Sequence, residues 1–319
     1  VLESIIAAVE AVKEDAVRSY GEESVENTCR ITRWACYALL ADLYLWKGDW
    51  QKCIDCCDMV INQKIKEYEK EYEENPTTMT VELYDIYPLI SESLSNSNYA
   101  GNAYTEIFGA GNSFESIFEL NFVNNQSVAN NTVSSFYGSS SNKTGQIGAP
   151  TFLYSDAYAG LNDYFTKTDC RYLENMSESN NKIYISKYVN QSVSSRTSTT
   201  TGAAPAVNGE VRSSAYANWI IYRLTDVMLM RAEAEIALAG NVEEGMTLTE
   251  EQLQHYHNAF SCISAVWKRA NNKRTSSTGL LEFDEYATSR LAMEELLFAE
   301  RQRELMFEGK RWFDLVRIS

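Results

Sequence analysis

The side chains best suited to binding a ligand are concentrated between residues 124 and 172. This segment of 49 residues holds eight aromatic residues and six asparagines but only six charged residues, about 12% against 23% for the whole chain. Sugars present apolar C–H faces and neutral hydroxyl groups, which aromatic rings and amide side chains can contact. The segment therefore favours a neutral oligosaccharide as the ligand, although the same rings could instead pack the loops onto neighbouring helices.

Six residues of this segment are the candidates for ligand contact. We expect Tyr137 to present its ring to solvent, because it precedes the polar run Gly138–Asn142. Tyr154 lies close to the turn Gly148–Pro150, and the two tyrosines are expected to form a stacking platform. The remaining candidates are two neighbouring rings and two possible hydrogen-bonding amides: Phe136, Tyr158, Asn130 and Asn131.

The residue types that usually carry out catalysis or bind metals are poorly arranged in this chain. Its only two histidines, His255 and His257, are expected to be solvated at the start of a helix. Cys53, Cys56 and Cys57 are spaced like part of a zinc knuckle, but a structural zinc site needs four ligands and no second Cys-x-x-Cys follows. We expect Cys53 and Cys57 to be buried, reduced and metal-free, because they lie on the apolar face of a helix. No nucleotide-binding motif appears and nothing marks a general acid, so the sequence predicts a non-catalytic protein without metal or cofactor.

The charge balance excludes two classes of partner. The chain has 28 basic and 44 acidic residues, giving a net charge of −16. Nucleic-acid binding and direct binding to an anionic membrane surface both need a cationic face, so neither is expected. No apolar run reaches about 18 residues, so no transmembrane helix is predicted. The chain begins at Val1 inside an amphipathic pattern and is expected to be a fragment of a longer protein.

A helical hairpin of the tetratricopeptide type is predicted over residues 30–63. Residues 30–46 and 50–63 place apolar side chains three or four positions apart, and the turn Lys47–Asp49 separates them. The mixed charges of residues 64–75 predict a solvated extension of the second helix.

The same apolar spacing recurs in a second helical pair over residues 221–270. Its two helices are predicted at residues 221–239 and 255–270. A last long helix is predicted over residues 289–308, within a C-terminal helical segment 289–319. Together the pairs indicate a helical-repeat scaffold with a large insertion, although any two amphipathic helices share the period of 3.6 residues.

The insertion between the helical pairs, residues 124–218, is rich in loops and is expected to carry the ligand. Residues 114–123 alternate like a strand just before it, and residues 183–189 could form a short strand. Residues 190–209 are rich in Ser, Thr and Gly and predict a linker or mobile loop. The chain is therefore predicted to be one mostly α domain over residues 1–319, with tetratricopeptide-like helical pairs, long loop insertions and few short strands.

One arginine of the last long helix is expected to be partly buried. Arg303 falls on the apolar side of that helix, so it needs a carboxylate partner. Glu300, Glu308 and Asp314 are the candidates, and a structural ion-pair network is the expected role.

Several ordered motifs resemble the SusD/RagB family. The resemblance runs from about residue 30 to the end of the chain. Smaller similarities are Thr168–Arg171 and the pair Lys187-Tyr188. The four longer matching stretches are Ile31–Trp50, Phe114–Leu120, Tyr222–Ala234 and Glu300–Arg317.

The resemblance implies a surface-exposed lipoprotein of the outer membrane of Bacteroidetes. Such proteins bind oligosaccharides and sit as a lid on a TonB-dependent transporter of the SusC type, and their mostly helical fold supports the loops that carry the ligand. The lipid anchor and the opening helices of the family would lie outside this chain.

Two hypotheses about function remain open at the level of sequence. The first is a non-catalytic glycan-binding protein that passes its cargo to the transporter. The second is a helical-repeat scaffold that holds a peptide or protein in a concave groove.

Overall fold

The computed structural model is mostly helical with a few short, two-stranded sheets, which confirms the predicted fold class. The described residues are 1–22, 24–92, 102–123, 128–139, 145–150, 152–153, 165, 169–179, 182–195, 207–213, 215–271 and 281–318.

Four helices form the N-terminal part of the chain: α1 (Leu2–Val12), α2 (Glu26–Cys29), α3 (Arg33–Lys47) and α4 (Trp50–Glu74). Helices α3 and α4 occupy the segment for which a hairpin is predicted, and they pack against each other. The Thr32 side chain accepts a hydrogen bond from the backbone N–H of Ala35 and so caps the start of α3. Gly48 ends α3 in the left-handed conformation, with φ of 76°, which glycine adopts without a steric penalty.

Helix α4 continues through the charged run and ends at Glu74, before Pro76. Its apolar face is buried, and both Cys53 and Cys57 are fully inaccessible to solvent, as predicted. The cysteines of the chain are all free thiols.

A hairpin, a short helical stretch and a single strand follow α4. The elements are β1 (Val81–Tyr84), β2 (Tyr87–Ile90), α5 (Asn102–Tyr104) and β3 (Ser116–Leu120). Strands β1 and β2 pair antiparallel. Helix α5 continues into π-helical geometry over Thr105–Ala110. Strand β3 lies within residues 114–123, where the sequence predicts a strand.

The insertion contains more regular structure than its composition predicts. Its described elements are α6 (Asn131–Phe136), α7 (Arg171–Asn175), β4 (Met176–Ser179), β5 (Lys182–Ile185), β6 (Asn190–Ser195) and β7 (Val207–Val211). The prediction of a linker over residues 190–209 is wrong at both ends, because β6 and β7 pair antiparallel there. Backbone hydrogen bonds between the strands, together with burial of Val193, outweigh the weak β propensity of Ser and Gly.

The two helices of the second pair have different starting points from those predicted. Strand β8 (Trp219–Arg223) comes first, and the helices are α8 (Leu224–Leu238) and α9 (Glu250–Ala270). Residues 221–223 are strand rather than helix, because β8 pairs antiparallel with β3. Helix α9 begins at Glu250, where Thr249 and Gln252 form a capping box.

The early start of α9 places both histidines inside the helix rather than at its beginning; His257 is exposed, as expected, whereas His255 is half-buried. His255 Nδ1 lies 2.5 Å from Glu235 Oε2. The His257 ring stacks on Phe283 at a centroid distance of 3.9 Å.

Three helices complete the chain: α10 (Phe283–Tyr286), α11 (Arg290–Glu304) and α12 (Arg311–Ile318). The Ser289 side chain caps α11. The helix predicted to reach residue 308 ends at Glu304, and Phe307 and Gly309 take positive φ. This turn brings Glu308 to the buried cations Lys187 and Arg223.

The main apolar core lies between five long helices, with α8 buried on nearly every side. Each helix contributes side chains with no exposed surface, for example Leu40, Cys57, Leu229, Ile263 and Leu297. Within the described part of the chain, no helix is both long and apolar enough to cross a bilayer.

Candidate ligand-binding site

A buried network of ion pairs joins the insertion to the C-terminal helices. The Glu304 carboxylate accepts hydrogen bonds from Arg171 at 3.0 Å and Arg223 at 2.6 Å, and also from Arg269. Burial acts to raise the pKa of Glu304, but these guanidinium groups outweigh it and hold the pKa well below its usual range. The network therefore fixes β8, α7 and α9 relative to α11.

The arginine that the sequence singled out has one of its three proposed partners. Arg303 Nη2 lies 2.8 Å from Glu300 Oε2. Glu308 pairs instead with Lys187 at 2.7 Å, and Asp314 pairs with Arg301 at 2.9 Å. The expected structural network exists, although it is larger and more deeply buried than the sequence pattern indicates.

An aromatic cleft of about 540 Å³ opens between α3, β8 and α12. Trp46 from α3, Trp219 from β8 and Phe313 from α12 line it. Trp46 is 39% exposed and Phe313 is 55% exposed, so both rings offer free faces to a ligand. Rings in this state suit the apolar faces of sugars, because burial against a ligand removes their surface from water.

Six of the seven charged side chains that line the cleft take part in ion pairs, and Asp42 is the exception among the described residues. Lys310 Nζ lies 2.9 Å from Asp226 Oδ2, and Arg317 Nε lies 2.6 Å from Glu233 Oε1. Burial acts to raise the pKa of Asp226, but the cations beside it outweigh burial and lower that pKa. A charged ligand would therefore meet balanced ion pairs, whereas a neutral one would keep them intact.

Two further polar groups of the cleft bear on its chemistry. The Tyr222 hydroxyl donates a hydrogen bond to Asp42 at 2.8 Å, so this carboxylate is engaged. Arg301 lines the cleft and is buried, and in the described part of the structure its Nη1 has no hydrogen-bond partner. The cleft thus combines exposed ring faces with carboxylates that already accept hydrogen bonds.

Tyr137 is half-buried and packs against neighbouring rings rather than presenting its ring freely to solvent, which corrects one expectation. Its hydroxyl donates to the backbone carbonyl of Phe307 at 2.7 Å, and its ring centroid lies 6.5 Å from that of Trp219. Burial raises the pKa of Tyr137 to about 12. The ring buries apolar surface against Trp219 and Phe307, although it follows from a polar stretch of sequence. Because Trp219 lines the aromatic cleft, Tyr137 supports one wall of it.

The other described candidates lie on α6. Asn130 is buried and caps this helix, since its side chain accepts from the N–H of Val133 at 3.3 Å and donates to the carbonyl of Ala217 at 2.9 Å. Asn131 is exposed, and Phe136 is 42% exposed. The structure therefore brings Tyr137 to the aromatic cleft and leaves Phe136 and Asn131 accessible. Tyr154 and Tyr158 lie outside the described residues.

The rings of the aromatic cleft are not among the residues predicted from the sequence to contact a ligand. Trp46, Trp219 and Phe313 come from distant segments, so no local spacing connects them. One signal was available, because Trp46 lies off the apolar side of its helix, where Trp34 and Leu45 are found. A large ring outside the buried face of a helix suggests a binding surface.

Residues 114–319 match the family model of the SusD family, which is more than half of the chain. Among solved structures, SusD superfamily proteins from Bacteroides vulgatus and Bacteroides fragilis match with TM-scores of 0.54 and 0.57, at 19% and 15% identity. Surface glycan-binding protein A from Bacteroides thetaiotaomicron matches with a TM-score of 0.52 at 17% identity. A comparison with curated proteins finds no match.

These matches cover 99% of this chain but only 54% of each SusD superfamily protein and 60% of the glycan-binding protein. The chain therefore spans little more than half of the length of these proteins. At such low identity the structures establish a shared fold, and the family model establishes the relationship. The chain belongs to the SusD family.

Proposed function

We propose that this protein binds neutral oligosaccharides at the cell surface without altering them chemically. Family membership supports the proposal, as does the fold shared with surface glycan-binding protein A from Bacteroides thetaiotaomicron and from Bacteroides uniformis. The observation that carries it is the aromatic cleft, in which Trp46, Trp219 and Phe313 meet charged groups that are mostly held in ion pairs.

Binding would rest on stacking and on hydrogen bonds to hydroxyl groups. A sugar lying between Trp46 and Phe313 would cover their exposed faces, and its hydroxyls would donate hydrogen bonds to the half-buried Asp42 carboxylate, which also lines the cleft. Tyr137 would act indirectly by supporting Trp219. Phe136 and Asn131, together with Tyr154 and Tyr158, are proposed as a second set of contacts, whereas Asn130 would position α6.

We further propose that the bound glycan passes to a SusC-type TonB-dependent transporter, to which the full-length protein is held by a lipid anchor in the outer membrane. These finer points rest on family membership. Affinity purification of the tagged full-length protein from its native cells should recover such a transporter from the membrane fraction. Recovery of the protein without any TonB-dependent transporter would contradict this part of the proposal.

The binding proposal is tested by calorimetry on this chain with a panel of neutral α-glucan, β-glucan, mannan and galactan oligosaccharides. Each stacking ring should contribute about 0.5–1.5 kcal/mol. The double variant Trp46→Ala/Phe313→Ala should therefore weaken binding about tenfold or more, since 1.4 kcal/mol corresponds to a factor of about ten.

Trp312 provides a matched control, because it neighbours Phe313 on α12, is 72% exposed and does not line the cleft. Trp312→Ala should leave the affinity unchanged. If the double variant binds as tightly as the wild type while Tyr137→Ala/Tyr154→Ala does not, the ligand lies on the loops instead. If no glycan binds and peptides do, the helical-scaffold hypothesis replaces this one.

A further inference from the structure

Three buried side chains with metal-binding atoms converge at a site away from the aromatic cleft. A carboxylate oxygen of Glu92, the Sγ of Cys170 and a carboxylate oxygen of Glu174 all lie within 4.8 Å of one another. Glu92 and Glu174 are each 4% exposed and Cys170 is 1% exposed. Glu92 follows β2, whereas Cys170 precedes α7 and lies one helical turn from Glu174, so two separate parts of the chain meet here.

One carboxylate oxygen of Glu92 lacks a partner. Its Oε2 is inaccessible to solvent and accepts no hydrogen bond within the described part of the structure. Arg269 is a nearby cation, but its guanidinium donates to Glu115 and Glu304. A buried carboxylate oxygen without a partner is unfavourable, and a cation beside it would supply that partner.

We propose that Glu92, Cys170 and Glu174 bind one zinc ion. Zinc accepts both thiolate and carboxylate ligands, whereas calcium and magnesium select oxygen alone. Zinc bonds of about 2.0–2.3 Å place tetrahedral ligands roughly 3.5 Å apart, so only a small contraction of the cluster is needed. A water molecule would complete the tetrahedron.

The cluster lies where separate elements of the fold meet. The backbone N–H of Cys170 donates to the carbonyl of Ala270 at 3.1 Å, which places the cluster beside the end of α9. Zinc would therefore join the segment after β2 to α7 next to that helix. This inference is independent of the proposed glycan binding, because none of the three residues lines the aromatic cleft.

The test is zinc stoichiometry on the purified chain, first stripped with chelator and then equilibrated with excess Zn²⁺ and dialysed. The wild type should retain about one zinc per chain by mass spectrometry. Glu92→Gln and Cys170→Ser should retain none, whereas Cys53→Ala, which removes an equally buried thiol elsewhere, should retain the ion. Far-ultraviolet circular dichroism verifies that each variant is folded.

Cobalt substitution gives a second readout, which reports directly on the thiolate ligand. Co²⁺ bound to the wild type should produce the near-ultraviolet charge-transfer absorption of a cobalt–thiolate bond. That absorption should vanish in Cys170→Ser and persist in Cys53→Ala. A wild type that binds neither ion, or an unchanged spectrum in Cys170→Ser, overturns the proposal.

Discussion

Glu304 is a buried carboxylate at which three buried arginines meet. Its carboxylate contacts Arg171, Arg223 and Arg269, all of which are nearly inaccessible to solvent. Removing one member of a buried ion-pair network leaves its partners charged and uncompensated. Glu304 therefore stabilises the fold far more than a surface acid would.

We expect Glu304→Gln to lower the free energy of unfolding by about 3–5 kcal/mol, because three buried guanidinium groups lose their shared anion. Urea denaturation followed by circular dichroism measures this loss. Glu295→Gln is the matched control, since Glu295 is exposed on the same helix, and should change stability by less than about 0.5 kcal/mol. Equal midpoints for the two variants would show that the network contributes little.

At the scale of elements, α9 depends on the cap at its first turn. The Thr249 side chain accepts from the N–H of Gln252, and the Gln252 side chain accepts from the N–H of Thr249. This box satisfies two backbone donors that the helix itself leaves unpaired.

Thr249→Ala should destabilise the protein by about 1 kcal/mol, within the range of about 0.5–2 kcal/mol seen for lost caps. Chemical denaturation should show the midpoint moving down without a change of slope. Thr247→Ala serves as the control, because Thr247 is exposed and precedes the cap. A loss as large at Thr247 as at Thr249 would assign the effect to the connecting segment instead.

At the scale of the whole molecule, the buried carboxylates make stability depend on pH. Asp226, Glu300, Glu304 and Glu308 have lowered pKa values, because neighbouring Arg and Lys outweigh the opposing effect of burial. A lowered pKa means that the folded state binds fewer protons than the unfolded state. Stability from these groups is therefore present above their ordinary pKa values and is lost as the pH falls through the folded ones.

Glu92 acts in the opposite direction. Its raised pKa means that the folded state keeps a proton where the unfolded state is ionised, so its contribution improves as the pH falls from 7 toward its ordinary value of 4.5.

We expect the thermal midpoint of the metal-free protein to change little, or to rise slightly, between pH 7 and about pH 5, and to fall steeply below about pH 4.5. Each affected carboxylate contributes a slope of up to about 1.4 kcal/mol per pH unit. Thermal unfolding across this range measures the dependence, and Glu304→Gln should show a shallower acid slope than the wild type. A midpoint that stays constant down to pH 3 would contradict the role assigned to the ion pairs.

The sequence by itself determined the helical scaffold. The apolar spacing of residues 50–63 predicts a helix because the backbone hydrogen bonds and side-chain neighbours of a helix lie three or four positions apart. The end of this helix before Pro76 is equally local, because proline disfavours helical geometry in the residue that precedes it. The strand at residues 114–123 and the burial of Cys53 and Cys57 follow from equally local patterns. The resemblance to the SusD/RagB family, which the family model confirms, likewise rests on contiguous motifs.

Only the tertiary structure decided the sites. The rings of Trp46, Trp219 and Phe313 come together across more than 260 positions of sequence. Glu92 likewise meets Cys170 and Glu174, which follow it by 78 and 82 positions. The strands at residues 190–209 form because each finds a partner, and Tyr137 turns inward because Trp219 and Phe307 cover it. Periodicity records which face of an element is apolar, whereas pairing and convergence depend on how the whole chain distributes its buried surface and its charges.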